Sequence, residues 1–493
     1  MGAPKRTRYQ VTFLVLICGV MAYALLQSLV VPALPTIQAD LHTTQTATTW
    51  LITGYLLSAS VCTPILGRIG DVFGKERMLV VTLGALGAGT ALAAVSNSIA
   101  LLIVARLIQG AGGGVLPLAF GIIRDEFPRE KVAGAIGLSA AMIAVGSGLG
   151  ITVAGPIVSH LNYHWLFIIP LILIIPAAIA THVLVPESPV QTAGGVSVRG
   201  ALLLSGWLVA LLLGISQGSS WGWLSPRTDA LFVAAAVIAA IWVRVESRAK
   251  SPLIDMQMMR QPAVWTTNLT ALLLGVAMYS VMAFLPAFFQ TPSRAGYGFG
   301  ASIVDSGVIM LPSSITMFVV GLASGRIAGR YGSKLPVVGG AVIAGITFLL
   351  MAEVHGSAWE MALETGLMGL GVGGAFSALS NLVVESVPDH QTGVASGMNA
   401  NIRTIGGSIG SQVCGSLIAA GVVGSALPKE SGYVGAFIFL TVVSLVAAVA
   451  AAFIPKPTAT SSHHNHGQID DPEALADFLG GGIPDKHQQG ALA

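Results

Sequence analysis

Residues 67–77 read GRIGDVFGKER, and residues 325–334 read GRIAGRYGSK. The two segments share the opening Gly-Arg-Ile and a second glycine at the matching offset, Gly74 in one and Gly332 in the other. Basic loops between membrane spans can resemble each other by chance, because Lys and Arg collect on the cytoplasmic side. The shared glycine register nevertheless favours an internal duplication. It predicts a chain built from two related halves.

The composition excludes most soluble classes of protein. Only 9% of the 493 residues are charged and 54% are hydrophobic, whereas soluble domains carry about 25% charged residues. The mean hydropathy of +0.79 also argues against a disordered or fibrous chain. The net charge of +2 is too small to predict nucleic-acid binding, and the three cysteines lie in apolar runs. We therefore expect neither a disulfide framework nor a metal site or cofactor.

The apolar runs predict about fourteen membrane spans, since a helix needs ~20 apolar residues to cross a bilayer. Sixty glycines point to closely packed membrane helices. The spans are predicted at 11–33, 47–66, 78–96, 99–122, 133–157, 165–185, 200–217, 228–245, 263–289, 301–323, 335–352, 360–384, 392–420 and 433–454.

Basic residues predict the orientation of these spans. Nineteen of the 24 Lys and Arg fall in segments on the N-terminal side of the membrane, three fall on the other side, and Arg106 and Arg403 lie inside spans. Positive charge collects in the cytoplasm, so both termini are predicted to be cytoplasmic. Residues 458–493 contain no spanning run and are predicted to form a disordered cytoplasmic tail. Its histidines could bind metal, but a solvated tail is the favoured interpretation.

Several motifs together resemble the major facilitator superfamily, and within it the fourteen-span drug:proton antiporters of the EmrB/QacA type. The loop at 67–77 resembles the superfamily loop signature, and Arg106 through Gly114 resembles its helix 4 motif. Gly150 and Gly155-Pro156 resemble the helix 5 antiporter motif. The segments at 221–223, 246–255 and 403–410 fit the same subfamily. The resemblance covers nearly the whole chain except the tail.

This resemblance implies an all-α membrane protein with two six-helix bundles and two extra linking helices. The implied divisions are 1–186, 187–260, 261–457 and the tail 458–493. The implied protein is not an enzyme but a monomeric transporter in a bacterial plasma membrane, exporting hydrophobic or cationic drugs or a secreted metabolite in exchange for protons. One alternative is a facilitator-type transporter without proton coupling or with another coupling ion. A more distant alternative is a membrane sensor or enzyme, which no catalytic motif supports.

The sequence departs from the family pattern in three motifs. Val72 stands where the loop usually has a basic residue, and Ser159 and His160 replace two glycines of the helix 5 motif. In helix 1, Leu26 occupies the place of the aspartate expected for proton coupling. Coupling, if present, is therefore predicted to use other groups.

Charged residues inside spans are the candidates for proton coupling or charge relay, because a charge at the bilayer centre costs ~2.5–3.5 kcal/mol on insertion scales. Arg106 could be the partner of a carboxylate that gains and loses a proton, or it could be a structural arginine bound to carbonyls and hydroxyls. Arg403 could have the same functional role or could form a fixed ion pair. Asp305 and Glu364 could each instead be a solvated acid at a helix start. Asp305 is the preferred candidate for proton coupling, because Glu360 next to Glu364 suggests that Glu364 lies in a solvated helix start. The candidates are Arg106, Asp305, Glu364 and Arg403.

Two further sets complete the predicted site. The resemblance implies a conformational latch that holds the halves together in the outward-facing state, formed by Gly67, Asp71, Gly74, Lys75 and Arg77. In helix 5, Gly155-Pro156 could act as a flexible point or as a static kink.

A cavity for a bulky apolar ligand is predicted from aromatic and amide residues, although each could equally pack in the core. They are Tyr23, Gln27, Tyr55, Gln109, Tyr279, Phe284 and Asn399.

Overall fold

The computed structural model describes residues 9–43, 45–188, 195–249, 252–387, 391–420 and 428–455. Within these residues the chain is helical and contains no β-strand. The predicted tail and both chain ends lie outside the described residues. The helices are α1 Tyr9–Asp40, α2 Gln45–Phe73, α3 Lys75–Ala94, α4 Ile99–Gln109, α5 Val115–Glu126, α6 Arg129–His160, α7 Trp165–Leu184, α8 Val198–Trp221, α9 Pro226–Glu246, α10 Met256–Arg260, α11 Pro262–Gln290, α12 Ile303–Tyr331, α13 Lys334–Glu353, α14 Ala358–Glu385, α15 Thr392–Ala420 and α16 Glu430–Ala452.

Thirteen membrane-spanning candidates are present in the described part of the chain, with α4 and α5 together forming one of them. The fourteenth predicted span is α15, a helix of 29 residues that is rich in glycine, serine and asparagine. This composition makes α15 less apolar than the other spans. Its low hydropathy suits a helix that faces protein and a cavity rather than lipid.

The helices form two six-helix bundles with the same internal packing. In the N-terminal bundle, α1 packs on α6 and α7, and α3 packs on α7. In the C-terminal bundle, α11 packs on α15 and α16, and α13 packs on α16. The glycines that revealed the repeat occupy equivalent turns, since Gly74 has φ 112° and Gly332 has φ 75°. A side chain at either position would be strained, which explains the shared register.

A seam of small residues joins the two bundles along α6 and α12. A Cβ added to Gly137 would lie 2.1 Å from Ser324 Oγ, and one added to Gly155 would lie 2.9 Å from Val304. Between these ends, Thr152 donates a 3.3 Å hydrogen bond to the carbonyl of Gly307. Lipid is as apolar as the helices, so close van der Waals contact between small residues is what holds such helices together. The seam therefore runs along most of both helices.

A second contact between the bundles, formed by α2 and α15, is close at one end. A Cβ added to Gly397 would lie 3.2 Å from the carbonyl oxygen of Thr63. We call this end of the molecule, which carries the loop after Asp71, the Asp71 end, and the opposite one the Asp305 end. The linking helices α8 and α9 pack on each other, and α8 contacts both α2 and α15. The linking pair therefore covers the side where α2 and α15 meet.

The predicted fourth span is not one continuous α-helix. It divides into α4, a 3-10 segment over Gly110–Gly114, and α5. The glycines lie against α2, because a Cβ on Gly110 would approach Ser58 to 2.4 Å and one on Gly113 would approach Thr63 to 2.3 Å. The expected close packing of this glycine run is thus confirmed. The predicted span is present as Ile99–Glu126, and its middle is a 3-10 segment because consecutive glycines favour an α-helix weakly.

Candidate functional site

A cavity of about 290 Å³ lies at the centre of the molecule between the two bundles. Helices α1, α2, α4 and α6 of the N-terminal bundle contribute to its wall, as do α11 and α15 of the C-terminal bundle. The wall is mainly apolar. The side chains that line it include Val31, Ile52, Leu56, Leu57, Ile143, Ile151, Met278 and Met282, with Gln27, Thr53, Tyr55, Ser147, Tyr279, Thr404, Ser408, Ser411 and Gln412 as its polar members.

The wall of this cavity carries one charged side chain, that of Arg106, among the residues that the structure describes. None of these lining residues is Asp, Glu, Lys or His. Hydroxyl and amide groups supply the other polar contacts. The cavity can therefore offer hydrogen bonds and a positive charge to a ligand, but no carboxylate.

Arg106 is held by neutral groups. Its Nε donates a 2.9 Å hydrogen bond to the carbonyl of Leu51, and its Nη1 donates a 2.9 Å bond to Gln109 Oε1. The guanidinium also lies 4.2 Å from the ring centre of Tyr55, within the range of a cation–π interaction. No carboxylate of the described chain forms an ion pair with it. In this conformation Arg106 matches the structural alternative, tied to a carbonyl and an amide.

Arg403 lines a second, smaller cavity of about 30 Å³ that shares Gln27, Tyr55 and Tyr279 with the first. Its guanidinium lies 4.3 Å from the ring centre of Phe376, and Nη1 donates a 3.4 Å bond to Asn399 Oδ1. Its Nε is buried and has no hydrogen-bond acceptor in the described part of the chain. The fixed ion pair considered for Arg403 is not present among the described residues.

The structure brings four of the seven predicted cavity residues together. Gln27, Tyr55 and Tyr279 line both cavities, and Tyr23 lines the smaller one. Asn399 lies nearby, on a small neighbouring cavity of about 10 Å³, and donates a 3.0 Å hydrogen bond to Asn268 Oδ1.

Two predicted cavity residues lie away from the described cavities. Gln109 lies behind Arg106, where its Nε2 donates a 3.3 Å bond to Thr90 Oγ1. Phe284 packs in an aromatic cluster, with its ring centre 5.4 Å from that of Phe437 and 6.2 Å from that of Tyr433. Both side chains are buried in protein contacts, and neither lines the central cavity.

The linking helix α8 also lines the cavity, which the sequence did not predict. Leu212, Ile215 and Ser216 are part of the wall. Ser216 Oγ lies 3.1 Å from Thr53 Oγ1 of α2 and forms a hydrogen bond with it. Span 7 is thus part of the site. A signal was available, because Ser216 and Gln217 interrupt an otherwise apolar run at 208–215.

The predicted latch residues gather at the Asp71 end. Lys75 Nζ lies 3.5 Å from Asp71 Oδ1 and 2.7 Å from Asp125 Oδ2, and all three side chains are buried. A Cβ added to Gly393 would lie 2.8 Å from Asp71 Oδ1, so this carboxylate abuts the first turn of α15. The start of a helix carries a partial positive charge that favours an anion. Asp71 therefore contacts the opposite bundle.

The other predicted latch residues take different positions. Gly67 lies against Gly393, while Gly74 allows the close approach of Glu187, whose Oε1 would lie 2.4 Å from an added Cβ. Arg77 Nε pairs with Glu187 Oε2 at 3.1 Å, but the Arg77 side chain is largely exposed. Arg77 thus makes its ion pair with a residue that follows α7, without reaching the C-terminal bundle through that pair.

Arg124 of α5 joins the two bundles at the Asp71 end. Its Nη1 donates a 2.9 Å hydrogen bond to the carbonyl of Val384, and its Nη2 donates a 3.0 Å bond to that of Val387. Nη1 also donates to Thr392 Oγ1 at the start of α15. From the sequence, Arg124 counts only among the basic residues that predict the orientation of the spans. No local pattern signalled contacts about 260 residues away in the chain.

The two acidic candidates differ in environment. Asp305 is exposed and forms the capping box of α12, where Ser302 Oγ donates a 2.7 Å bond to Asp305 Oδ2. Glu364 is buried at 7% exposure, and its Oε2 has no described hydrogen-bond partner. The assignment of Glu364 to a solvated helix start is wrong, because Glu360 forms that capping box. The ranking of Asp305 above Glu364 loses its physical basis.

The antiporter motif that was predicted in the fifth membrane span lies on α6. A Cβ on Gly150 would approach Ser28 Oγ to 2.0 Å, so this glycine allows α6 to contact α1. Gly155 takes part in the seam with α12. Pro156 lies inside α6, which continues to His160. The motif thus places α6 against α1 and α12 at the same time.

Two related bundles that enclose a central, mainly apolar cavity define this protein as a multi-pass membrane transporter rather than an enzyme. The sequence profile of the Major Facilitator Superfamily matches residues 16–411. The chain therefore belongs to the Major Facilitator Superfamily, as its loop and helix motifs predicted.

Curated relatives share most of the length of the chain. The Tetracenomycin C resistance and export protein of Streptomyces glaucescens is 30% identical over 85% of this chain and 77% of its own length. The multidrug transporter MdtP of Bacillus subtilis (strain 168) is 28% identical over 82% of this chain and 74% of its own. The Multidrug resistance protein B homolog of Mycobacterium tuberculosis (strain H37Rv) is 26% identical over 86% of both.

A solved structure supports the fold. The human organic anion transporter MFSD10 (TETRAN) superposes with a TM-score of 0.66 over 91% of this chain and 100% of that chain, at 18% identity. At this identity the likeness concerns the fold alone. The predicted class, an all-helical transporter of this superfamily, is confirmed.

Proposed function

We propose that this protein exports hydrophobic drugs, antibiotics or a secreted metabolite across a bacterial plasma membrane in exchange for protons. The observation that carries the proposal is the mainly apolar cavity between the two bundles, beside a closed contact at the Asp71 end. The names of three relatives, which are export, multidrug transport and multidrug resistance proteins, support it. The protein acts as a monomer, because one chain supplies both bundles and the cavity between them.

The orientation follows from the basic residues. Arg68, Lys75, Arg77 and Arg124 all lie at the Asp71 end. Basic residues concentrate in the cytoplasm, so this end faces the cytoplasm, and both termini lie on the same side. The contacts of Asp71, Gly67 and Arg124 with the C-terminal bundle then close the cytoplasmic side. Their opening would admit substrate from the cytoplasm during alternating access between the bundles.

Proton coupling is assigned to Glu364, with Asp305 as the second candidate. A carboxylate that carries protons must change its surroundings during the cycle, because burial favours the neutral acid and exposure favours the anion. Glu364 is buried and its Oε2 lacks a described partner. Opening of the Asp305 end would expose it to the outside. Arg403 then acts on the substrate rather than on a carboxylate, and Arg106 adds positive charge to the cavity wall while its own hydrogen bonds hold it in place.

A carrier without proton coupling is the second candidate function. It is favoured by the cavity wall, whose described residues include no carboxylate, and by Leu26 in the place of the helix 1 acid. The two functions differ in one measurable quantity, the movement of protons with substrate.

Energised inside-out membrane vesicles test the proposal. Respiration acidifies their lumen, and an exporter would move added compound inward as protons leave. We expect tetracenomycin C, or one of a set of anionic and cationic dyes, to raise the luminal pH in vesicles that contain the protein. Vesicles without the protein are the control. Entry of compound down its own concentration gradient, without accumulation or any change in luminal pH and unaffected by an uncoupler, would establish the carrier without coupling.

A further inference from the structure

The charges around the transport cavity are of one sign. Arg106 lines the main cavity and Arg403 lines the smaller one beside it, and the described residues that line either cavity include no Asp or Glu. The two cavities share six lining residues, among them Gln27 and Tyr279, so both arginines border one continuous region. A ligand in this region meets positive charge and no negative charge.

Arg403 has unused capacity for a ligand. The residue is 6% exposed, and its Nε has no acceptor in the described part of the chain. Its hydrogen bond to Asn399 Oδ1 is long at 3.4 Å, and its other side-chain partner, Tyr279, is a neutral phenol. A buried cation without a counter-charge is unfavourable, so an anion or a strong acceptor placed beside it would be stabilised. A guanidinium also matches a carboxylate or phenolate oxygen through charge-assisted hydrogen bonds.

The remainder of the wall is suited to the body of such a ligand. Isoleucine, leucine and methionine side chains cover most of it, and Tyr55 and Tyr279 present aromatic rings between the two arginines. Ser, Thr and Gln groups add neutral hydrogen bonds. A lipophilic cation would bury its charge here beside arginine without a carboxylate to balance it, which like-charge repulsion opposes.

We propose that the transported compound is an apolar molecule that carries an anionic or strongly accepting oxygen, such as a phenolate, carboxylate or quinone carbonyl, and that lipophilic cations are excluded. The inference rests on the proposed function as an exporter and narrows its substrate to apolar molecules that are not cations and that carry an oxygen acceptor. The oxygen lies towards Arg403, and the apolar body occupies the main cavity.

Two dyes with the same ring system test the charge preference. Fluorescein is an anion and rhodamine 123 is a cation, and both are built on xanthene, so they differ mainly in charge. Binding to the purified full-length protein in detergent is measured by fluorescence anisotropy. We expect fluorescein to bind at least tenfold more tightly than rhodamine 123. Equal binding, tighter binding of rhodamine 123 or binding of neither dye would overturn the proposal.

Variants locate the effect. Arg403→Gln should weaken fluorescein binding at least tenfold, whereas Arg403→Lys should retain part of it. Arg330→Gln removes an exposed arginine from α12 and is the control, which should leave both affinities unchanged. An unchanged fluorescein affinity in Arg403→Gln that elutes and melts like the native protein would contradict the role of Arg403.

A substitution that adds a negative charge to the cavity wall should reverse the preference between the two dyes. Gln27 lines both cavities, so Gln27→Glu places a carboxylate between the arginines without changing the shape of the side chain. This variant should bind rhodamine 123 more tightly and fluorescein more weakly than the native protein. The opposite direction for both dyes would count against the proposal.

The outcomes separate this inference from the proposed function. Native vesicles that accumulate rhodamine 123 but not fluorescein would retain an exporter and reject this substrate class. Tight, Arg403-dependent fluorescein binding without accumulation in energised vesicles would retain the substrate class and reject export.

Discussion

Gly67 and Gly393 bring the two bundles into backbone contact. A Cβ added to Gly67 would lie 3.0 Å from the carbonyl oxygen of Gly393 and 3.3 Å from its carbonyl carbon. The two residues belong to different halves of the chain, in α2 and α15. At this point the Asp71 end closes with no side chain between the helices, and a large side chain would hold them apart.

A bulky residue at this contact should prevent closure. In Gly67→Leu the side chain needs space that the Gly393 backbone occupies, so we expect substrate transport to fall at least tenfold. Gly329→Leu is the matched control, because nothing lies within 4 Å of a Cβ there. Transport is measured in vesicles at equal amounts of protein. A Gly67→Leu variant that transports as fast as Gly329→Leu would show that this contact is not needed in the cycle.

Arg124 should stabilise the closed Asp71 end. Arg124→Gln removes its charged hydrogen bonds to Val384 and Val387, and such bonds contribute ~1.5–3 kcal/mol each. Because each ~1.4 kcal/mol changes an equilibrium tenfold, we expect the open population to rise at least tenfold. Spin labels at the exposed positions Phe73 and Tyr331, one on each bundle, report the separation by pulsed electron paramagnetic resonance.

The control for Arg124 is another arginine at the same end. Arg77 pairs with Glu187 and its side chain is 73% exposed. Exposed ion pairs contribute ~0–1 kcal/mol, so Arg77→Gln should leave the distance distribution nearly unchanged. Equal effects of the two exchanges would reject a specific role for Arg124.

Asp71→Asn should slow turnover more than it weakens substrate binding. The carboxylate lies against the first turn of α15 and beside Lys75, whereas the described lining of the central cavity does not include it. Loss of its charge removes the attraction to the helix start and weakens closure. Single-turnover efflux and equilibrium binding separate the two effects. A collapse of affinity with normal turnover of bound substrate would mean that Asp71 acts on the site itself.

The linking helix α8 should help to select the substrate. Ser216→Leu adds an apolar side chain to the cavity wall and removes the hydrogen bond to Thr53, so we expect the KM for a given compound to change severalfold. Leu202→Trp is the control on the same helix, at a position 68% exposed. Comparing KM and maximal rate over several compounds checks the prediction. Identical KM values in native protein and Ser216→Leu would confine α8 to a structural role.

The sequence predicted the fold better than the site, for a physical reason. Span length, positive charge and the glycine at positive φ are local properties, so fourteen helices in two related halves could be read from the chain. The contacts of Arg124 and Ser216 depend on the distance between helices that are remote in sequence. No periodicity or motif carries that distance, although the polar residues at 216–217 in an apolar span indicated that this face of α8 meets something other than lipid.

The two acids differ in a feature that the sequence does carry. Asp305 and Glu364 each lie near the start of a helix, and the spacing from a preceding serine distinguishes a cap from a buried carboxylate. The cap is determined by position relative to the N-cap serine, which is three residues from Asp305 and from Glu360 but seven from Glu364. Gln109 and Phe284 lie away from the cavities for a different reason, since an amide or ring inside a span faces the protein more often than a cavity.

Glu364, rather than Asp305, should be required for pH-driven transport. Glu364→Gln keeps the shape of the buried side chain but removes its ability to bind and release a proton, so transport driven by a pH gradient should be lost. Exchange of labelled for unlabelled substrate at equal pH should persist, because that exchange needs no net proton movement. Asp305→Asn should lose only part of a helix cap, ~1 kcal/mol of stability, and should retain pH-driven transport. Glu360→Gln is a second cap control.

Both rates are measured in the same vesicle preparation, with thermal unfolding as the check on folding. If Glu364→Gln transports at the native rate under a pH gradient, Glu364 is not the coupling group. If the double variant with Asp305→Asn does so as well, neither acid couples transport to protons, and the carrier without coupling becomes the better account of a cavity whose charged groups are arginines.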